Sequence, residues 1–365
     1  MLIRLLIEIK TLRNDDKKPT TLDEAIALTR AALSNPRTKN CIIITDAINQ
    51  FDDYRGAPAP ISWLPTKMSP SVRIFFSLTP QSSQFRTVKE SGDGWKFLQL
   101  QPLDRSTKEQ MVVSHLARYN KRLDPGQLEL LLNKQSSDNP MWLSLATEEL
   151  RVFGSFRELT NKIRTLPDGL AELEADILGR FERESDGPRL IATLCLLECS
   201  VHGLLESELL ELLATDDLLP DEMKEKITAH EVLDFENPDE QNEQPALGMV
   251  REKTYFEPIR KQERLTASKW ADIFRVLRPF MRPFGASGEG RLDFYHRSLS
   301  KAVRSRYLFK TVTTKKSVSK HVRNEGVTYF FHKRLADYFN EDNNNLDRRI
   351  EEYPTHAYRC KDLEG

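Results

Sequence analysis

The sequence predicts an α/β core followed by a longer all-helical part, and three observations carry that expectation. Two short apolar runs, Cys41–Ile44 leading into Thr45 and Val72–Leu78, do not alternate with polar residues, as strands buried on both faces of a parallel sheet do not. From Pro102 onward apolar residues recur at helical spacing between turn signals. The balance of 39% hydrophobic and 30% charged residues over 365 positions is that of a globular chain long enough for two or three domains.

Charge and cysteine content narrow the classes further. Lys plus Arg (54) nearly equals Asp plus Glu (55), so the chain as a whole has no pull toward nucleic acid or an anionic membrane. Cys41, Cys195, Cys199 and Cys360 lack metal-ligand spacing; Cys195 and Cys199, four apart in an apolar helical pattern, read as core thiols of a reducing, cytoplasmic compartment. The opening MLIRLLIEIK is interrupted by Arg4 and Glu8 and has no small-residue cleavage site, which argues against a signal peptide. No other segment approaches the ~20 uninterrupted apolar residues of a membrane span.

Residues 1–35 read as helical, the second run being opened by Thr20 and Thr21 with Asp23 and Glu24 in its first turn. The Cys41 strand follows and ends at Asp46. In an open α/β sheet ligands bind outside the carboxyl ends of the strands, so an acid there faces the place of a phosphate and its magnesium. An Asp that caps the next helix or turn explains the same residue equally well. A Pro/Gly/Asp loop at 52–60, a strand over Val72–Leu78 stopped by Pro80, and a third short strand over Trp95–Leu100 after the turn at Gly92–Gly94 complete the α/β part.

Beyond Pro102, STKEQMVVSHLARYN, PGQLELLLNKQ and NPMWLSLATEELRVF each carry one apolar helical face. ADILGRFERE, LIATLCLLECSV and ESELLELLA continue the pattern, with Gly203 breaking the last two apart and the final helix starting at Glu206 or Ser207. The acidic, Pro/Asn/Gln-rich Asp234–Gln244 stretch reads as a surface insertion with little order. Thr266–Met281 is helical again; a Gly-rich turn, a short extended piece and a helix from near Ser298 then suggest a winged-helix unit. After a basic connector, EGVTYFFHKRLADYFN buries Tyr329, Phe330, Leu335 and Phe339, and RRIEEYPTHAYRCKDLEG begins a further element.

The order of these pieces resembles one family. ITDAINQF, WLP, VRIFFSLTP, QPLDRSTKEQ, SSDNPMWLSLATEELRVFGSF, LPDGLAELEADILGRFE, HGLLESELLELL, FYHRSLSKAVRSRYL and HKRLADYF with EEYPTHAYR follow one another as in the NACHT-type module of STAND P-loop NTPases, specifically nephrocystin-3-like and telomerase-protein-component-1-like proteins. The resemblance implies an α/β plus α chain: a partial parallel P-loop sheet (1–101), a helical lid or subdomain (102–184), a winged-helix domain (185–312) and the start of a C-terminal helical or repeat region (313–365). It implies ATP/ADP with magnesium as cofactor. Asp46 would be the catalytic and metal-side acid of the Walker B strand, with Asp52 and Asp53 in the loop that would assist it, and the strand ending at Ser77 and Thr79 would be the sensor strand. Pro140 would pack on the adenine after Asn139, although an Asn cap with proline at the first helical position accounts for the same pair. His296 would reach the β-phosphate of ADP and hold the closed form; a hydrogen-bonded core histidine is the plainer reading.

The sequence departs from the family in two places. LTPQSSQ has no Arg after the sensor strand, and none of the fifteen glycines opens the G-x-x-x-x-G-K-[ST] loop that cradles phosphates. The expectation is therefore a fragment whose phosphate loop lies upstream of Met1. Such a chain would be the C-terminal part of a nucleotide switch or signalling scaffold with protein partners, capable of self-assembly when complete. The alternatives are a scaffold that has lost the nucleotide and a winged-helix nucleic-acid binder. For the latter, nine Lys or Arg and no acid occur from Arg297 to Arg323, though a solvated or partner-docking face is the favoured explanation. Glu148 and Glu149 read as solvent-facing charge on a helix, and no nucleophile elbow or zinc motif occurs.

Overall fold

The computed structural model describes residues 2–9, 18–48, 61–90, 94–225, 227, 264–284, 290–313, 319–341 and 346–364. The expectations for Asp52 and Asp53, for the Asp234–Gln244 insertion and for most of the glycine turns at 92–94 and 285–290 lie outside these residues. The chain divides into two compact units, Met1–Gln101 and Pro102–Gly365.

In the first unit, α1 (Leu2–Glu8) and α2 (Leu22–Ser34) precede β1 (Cys41–Thr45), β2 (Val72–Phe76) and α3 (Ser83–Glu90). Helix α2 starts where Thr21 Oγ1 accepts the Glu24 N–H (3.2 Å), satisfying one of the end's orphan donors, while the Glu24 carboxylate returns to the Thr20 N–H just before the cap (2.8 Å). The strands pair in parallel with Cys41 opposite Val72 and Thr45 opposite Phe76, as unalternating runs imply. Ala25, Ile26 and Leu33 of α2 meet Ile43, Ile48, Trp63 and Val72 in one small core.

Burial on both faces does not hold. Successive strand side chains point to opposite faces, so Ile43 enters the core while Ile42 (69% exposed), Ile44 (79%) and Phe75 (60%) stand outside it. Nor do Trp95–Leu100 form a strand. That stretch has no sheet pairing and is held instead by rings, Trp95 edge-on to Phe76 (5.0 Å between centroids) and Phe97 to Phe85 (5.7 Å). Helix α3, begun by Ser82 Oγ accepting the Phe85 N–H (3.1 Å), occupies part of the interval read as loop.

The second unit is mainly helical with two small sheets. Helices α4 (Arg105–Ala117), α5 (Pro125–Leu132), α6 (Pro140–Val152), α7 (Leu159–Thr165), α8 (Leu170–Arg183) and α9 (Gly187–Cys199) follow in close succession. Asp104 and Asp124 cap α4 and α5 through their side chains, the latter in a reciprocal capping box with Gln127. Trp142, Phe181, Leu131, Leu143, Ile163 and Leu173 are fully out of water, each such side chain contributing about 1.5–3 kcal/mol of burial. Cys195 and Cys199 are core thiols, as their spacing implies.

After α9 come β3 (Leu204–Leu205), α10 (Glu206–Leu212), α11 (Ala267–Leu277), β4 (Met281–Phe284) and β5 (Arg291–Phe294). The strands form an antiparallel sheet in the order β3-β5-β4. Helix α12 (Arg297–Val303) runs through one π-helical turn, Arg304–Leu308, into β6 (Phe309–Thr313). Here the expected basic connector is a hairpin, β6 pairing antiparallel with β7 (Ser319–Arg323). Helices α13 (Glu325–Asn340) and α14 (Leu346–Glu364, with Pro354 inside) then pack closely on each other. In α13 the buried stripe is Val327, Phe331, Leu335 and Phe339, at steps of four. Tyr329 and Phe330, expected inside, are only half-buried.

Ion pairs fasten this unit across long sequence distances, and here the reading of Glu148 and Glu149 as solvent-facing is overturned. Both are buried, at 3% and 1% exposure. Glu148 takes Arg151 Nη2 (2.6 Å) and His115 Nε2 (2.9 Å); Glu149 takes Arg180 from α8 through three contacts of 2.7–3.2 Å. Buried carboxylates persist only when so partnered.

Candidate functional site

Asp46 follows the last residue of β1 directly and is exposed. Its Oδ1 accepts the Ser77 hydroxyl (2.5 Å), and the same Ser77 Oγ accepts the Ala47 N–H (2.7 Å). The Ile48 N–H reaches the Ser77 carbonyl (3.2 Å) and the Ser77 N–H reaches the Thr45 carbonyl (3.2 Å). One residue at the carboxyl end of β2 thus binds three consecutive residues past the end of β1. Ala47 has φ +51°, a left-handed conformation that costs a residue with a Cβ about 1 kcal/mol or more. Sequence reading placed Ser77 at a strand end but had no signal for this knot, because backbone φ is not written in residue type when the residue is alanine.

As a metal ligand Asp46 offers a single accessible carboxylate. Magnesium at nucleotide sites takes one or two protein carboxylates and completes its shell with phosphates and waters. The donor set fits a shared ion of that kind and does not fit a protein-only cage: no group of three or more His, Cys, Asp or Glu placed to hold a metal occurs among the described residues.

Pro140 is the first residue of α6 and is exposed. Asn139 Oδ1 accepts the N–H groups of Met141 (2.9 Å) and Trp142 (3.3 Å), so the pair forms an ordinary capped helix start with proline where no N–H is needed. Trp142 Nε1–H then donates to the Pro167 carbonyl (3.0 Å), anchoring this end of α6.

His296 is the cap of α12, two residues after β5. Its Nδ1 lies 3.1 Å from the Ser298 backbone N–H and 2.6 Å from the Ser298 hydroxyl. A backbone N–H only donates, so Nδ1 accepts and the neutral ring carries its proton on Nε2. Burial, then the nearby Arg282 and Lys301, push the imidazole below its ordinary pKa, favouring that neutral form. The ring therefore presents one N–H donor and no positive charge.

Asp46 belongs to the first unit, Pro140 and His296 to the second. Within the second, α8 packs against both α6, which Pro140 starts, and α12, which His296 caps. Of the basic run, Arg304 and Arg306 are committed to the protein itself: Arg304 Nε donates to Glu198 (2.6 Å), and Arg306 grips Glu182 through Nε and Nη2 (both 2.7 Å) while Tyr307 adds its hydroxyl (2.8 Å). No helix among the described residues is long and apolar enough to cross a membrane.

The chain is 31% identical over 201 residues to mouse (Mus musculus) telomerase protein component 1, covering 54% of this chain and 8% of that protein. It is 26% identical over 312 residues to the human (Homo sapiens) NACHT domain- and WD repeat-containing protein 1, covering 82% of this chain and 16% of that one. A TPR repeat-containing protein of Dictyostelium discoideum is 21% identical over 329 residues, 90% of this chain and 16% of its own length. The chain thus spans less than a fifth of each of these relatives. No family model and no solved structure matches it. These partial likenesses support a NACHT-like relationship and a mainly helical, repeat-related architecture.

Proposed function

We propose that the chain is part of a NACHT-type, nucleotide-responsive signalling scaffold whose second unit contains a winged-helix element. The order α9, β3, α10, α11, β4, β5, with the three strands in one antiparallel sheet, supports the winged-helix reading. The observation that carries the proposal is His296. It stands at the end of the hairpin where the family resemblance seeks a phosphate contact, and its ring is fixed as an Nε2–H donor. A neutral N–H donor suits a phosphate oxygen. Asp46, at the carboxyl end of a parallel strand, is the residue that would share a magnesium ion with the nucleotide. Bound nucleotide would bring the phosphate charge; the chain's own part is to orient donors toward it. In this reading ATP/ADP binding requires a phosphate loop upstream of the present residues.

Partners are expected to be proteins, because two of the relatives are named for WD or TPR repeats and α13 with α14 forms a helix pair of the kind repeat arrays stack. Self-association of the complete protein belongs to the same reading. A second reading, a scaffold that has kept the fold without nucleotide, is favoured by one observation: Asn139 and Pro140 are fully explained as a helix cap. Calorimetric titration with Mg-ADP separates the two. A longer chain carrying the phosphate loop binds Mg-ADP and releases it faster when His296→Ala is introduced; absence of binding in that longer chain leaves only the scaffold.

A further inference from the structure

Helix α8 carries a carboxyl group on the side where it packs against α12. Glu174 is 3% exposed, and its Oε1 has no hydrogen-bond partner. It lines a cleft of about 570 Å³ between α8 and α12, walled by Leu170, Ala175, Leu178 and Ala302, and Ser298 stands on the opposite wall. Burial, the larger influence, pushes the Glu174 carboxyl above its ordinary pKa; the Ser298 hydroxyl opposes this only when its proton is turned toward the carboxylate. The same Ser298 hydroxyl lies 2.6 Å from His296 Nδ1.

We propose that Ser298 and Glu174 are positioning residues for His296, forming a carboxyl–hydroxyl–imidazole chain that locks Nδ1 as the acceptor and holds Nε2–H outward as a donor to an anion of the phosphate class. The roles follow from what each group can do. Nδ1 already accepts the Ser298 N–H at 3.1 Å, so the Ser298 hydroxyl at 2.6 Å also turns its proton toward the ring. That leaves the hydroxyl oxygen as an acceptor, and the group available on the α8 side is the Glu174 carboxyl, which can donate only in its neutral form. A neutral carboxyl is what burial among Leu170, Ala175 and Leu178 favours. Cationic groups facing the ring, Arg282 from β4 and Lys301 from α12, act in the same direction by opposing its protonation. The arrangement also ties α8 to the residue that begins α12, so a shift of either helix alters the donor.

The anion as nucleotide phosphate rests on the function proposed above; the ring state does not. The test is long-range ¹⁵N–¹H spectroscopy of the full chain with labelled histidine, His296 being assigned as the signal lost in His296→Ala. The expected spectrum has an unprotonated Nδ1 and a protonated Nε2 at neutral pH. Ser298→Ala, which keeps the backbone donor, is expected to move both nitrogens toward averaged values and raise the ring's titration midpoint, and Ser298→Thr to restore them. Glu174→Leu, which fills the same space without a polar group, is expected to give a smaller shift of the same sign. A protonated Nδ1 in the unaltered chain, or a Ser298→Ala spectrum superimposable on it, overturns the proposal, and an unmoved ring in Glu174→Leu removes Glu174 from it. Should the ring behave as expected while inorganic phosphate and Mg-ADP leave its signals unmoved even with a phosphate loop supplied, the nucleotide reading fails and the positioning chain stands.

Discussion

Arg348 of α14 and Glu208 of α10 form an ion pair with both side chains almost wholly out of solvent, at 5% and 6% exposure. Arg348 Nε reaches Glu208 Oε1 at 2.7 Å and Nη2 reaches Oε2 at 3.0 Å, a two-pronged grip that fixes geometry as well as charge. Nη2 also donates to the Gly203 carbonyl (2.8 Å). Four residues along α14, Glu352 accepts the N–H groups of Val201 and His202, both at 2.9 Å. The last helix is therefore riveted to the turn and helix that follow α9.

Removing one member of such a pair leaves a buried charge without its partner. Arg348→Ala is expected to cost about 3–5 kcal/mol of stability, read as a lower urea midpoint. Amide exchange at Val201 and His202 should quicken alongside, because their acceptor loses its neighbour. Replacing Arg348 and Glu208 together by apolar residues of similar volume should cost much less.

The pair His332 and His356 gives a pH dependence with a definite sign. Their Nδ1 atoms are 2.9 Å apart, and His356 Nε2 lies 3.1 Å from Glu352 Oε2. An ionised carboxylate only accepts, so His356 carries its proton on Nε2 and His332 donates through Nδ1. Burial, with His356, Arg359 and Arg323 adding, pushes His332 down to about 4. The unfolded chain takes up this proton near 6.5. Stability is thus present in full above about pH 6.5, falls as the pH drops toward 4, and is flat with respect to this group below that, a loss on the order of a few kcal/mol. Urea unfolding at pH 7.5, 5.5 and 4 should show it, and His332→Gln should flatten that segment of the curve.

Gly203 is held at φ +70°, and a Cβ there would lie 2.6 Å from the Leu292 carbonyl oxygen in the neighbouring strand. Strain from the left-handed backbone, about 1–2 kcal/mol, adds to a collision that only backbone movement relieves. Gly203→Ala is expected to lower the thermal midpoint clearly, and to do so without changing helix content in the first unit. A midpoint within experimental error of the unaltered chain would contradict this account of the turn.

These cases mark where sequence reading ends. The parallel pairing of β1 and β2, the break at Gly203 and the start of α10 at Glu206 were legible because apolar runs, glycine and helix starts act within a few residues of themselves. Glu149 was misread because its partner Arg180 lies 31 positions away; Glu148 has Arg151 within one turn, but His115 lies 33 positions away, and an acid on a helix looks the same whether a cation covers it or not. The Trp95–Leu100 segment misled for a related reason: apolar residues suggest a strand, but a strand also needs a neighbour with a free edge, and aromatic contacts to Phe76 and Phe85 settle that stretch instead. Of the candidate site, the positions of Asp46 and His296 at element ends were readable. Ser77 and Ser298, which fix how those two side chains are presented, carried no signal of their own.

The knot at the end of β1 offers the cleanest separation of folding from function. Asp46→Asn keeps an oxygen that can accept the Ser77 hydroxyl while removing the negative charge a magnesium ion would need. Stability should change by no more than about 0.5 kcal/mol. Ser77→Ala does the reverse: Asp46 keeps its charge but loses its donor, and the Ala47 N–H, held at φ +51°, loses its acceptor. The expected cost is about 1–3 kcal/mol, seen as a lower melting point of the first unit, and Ala47→Gly in the same background should recover about 1 kcal/mol by relieving the left-handed strain. In a longer chain that carries a phosphate loop, Asp46→Asn should abolish phosphate release while melting normally. Undiminished turnover there would remove Asp46 from the chemistry and leave it a strand-end acid whose whole role is to hold Ser77.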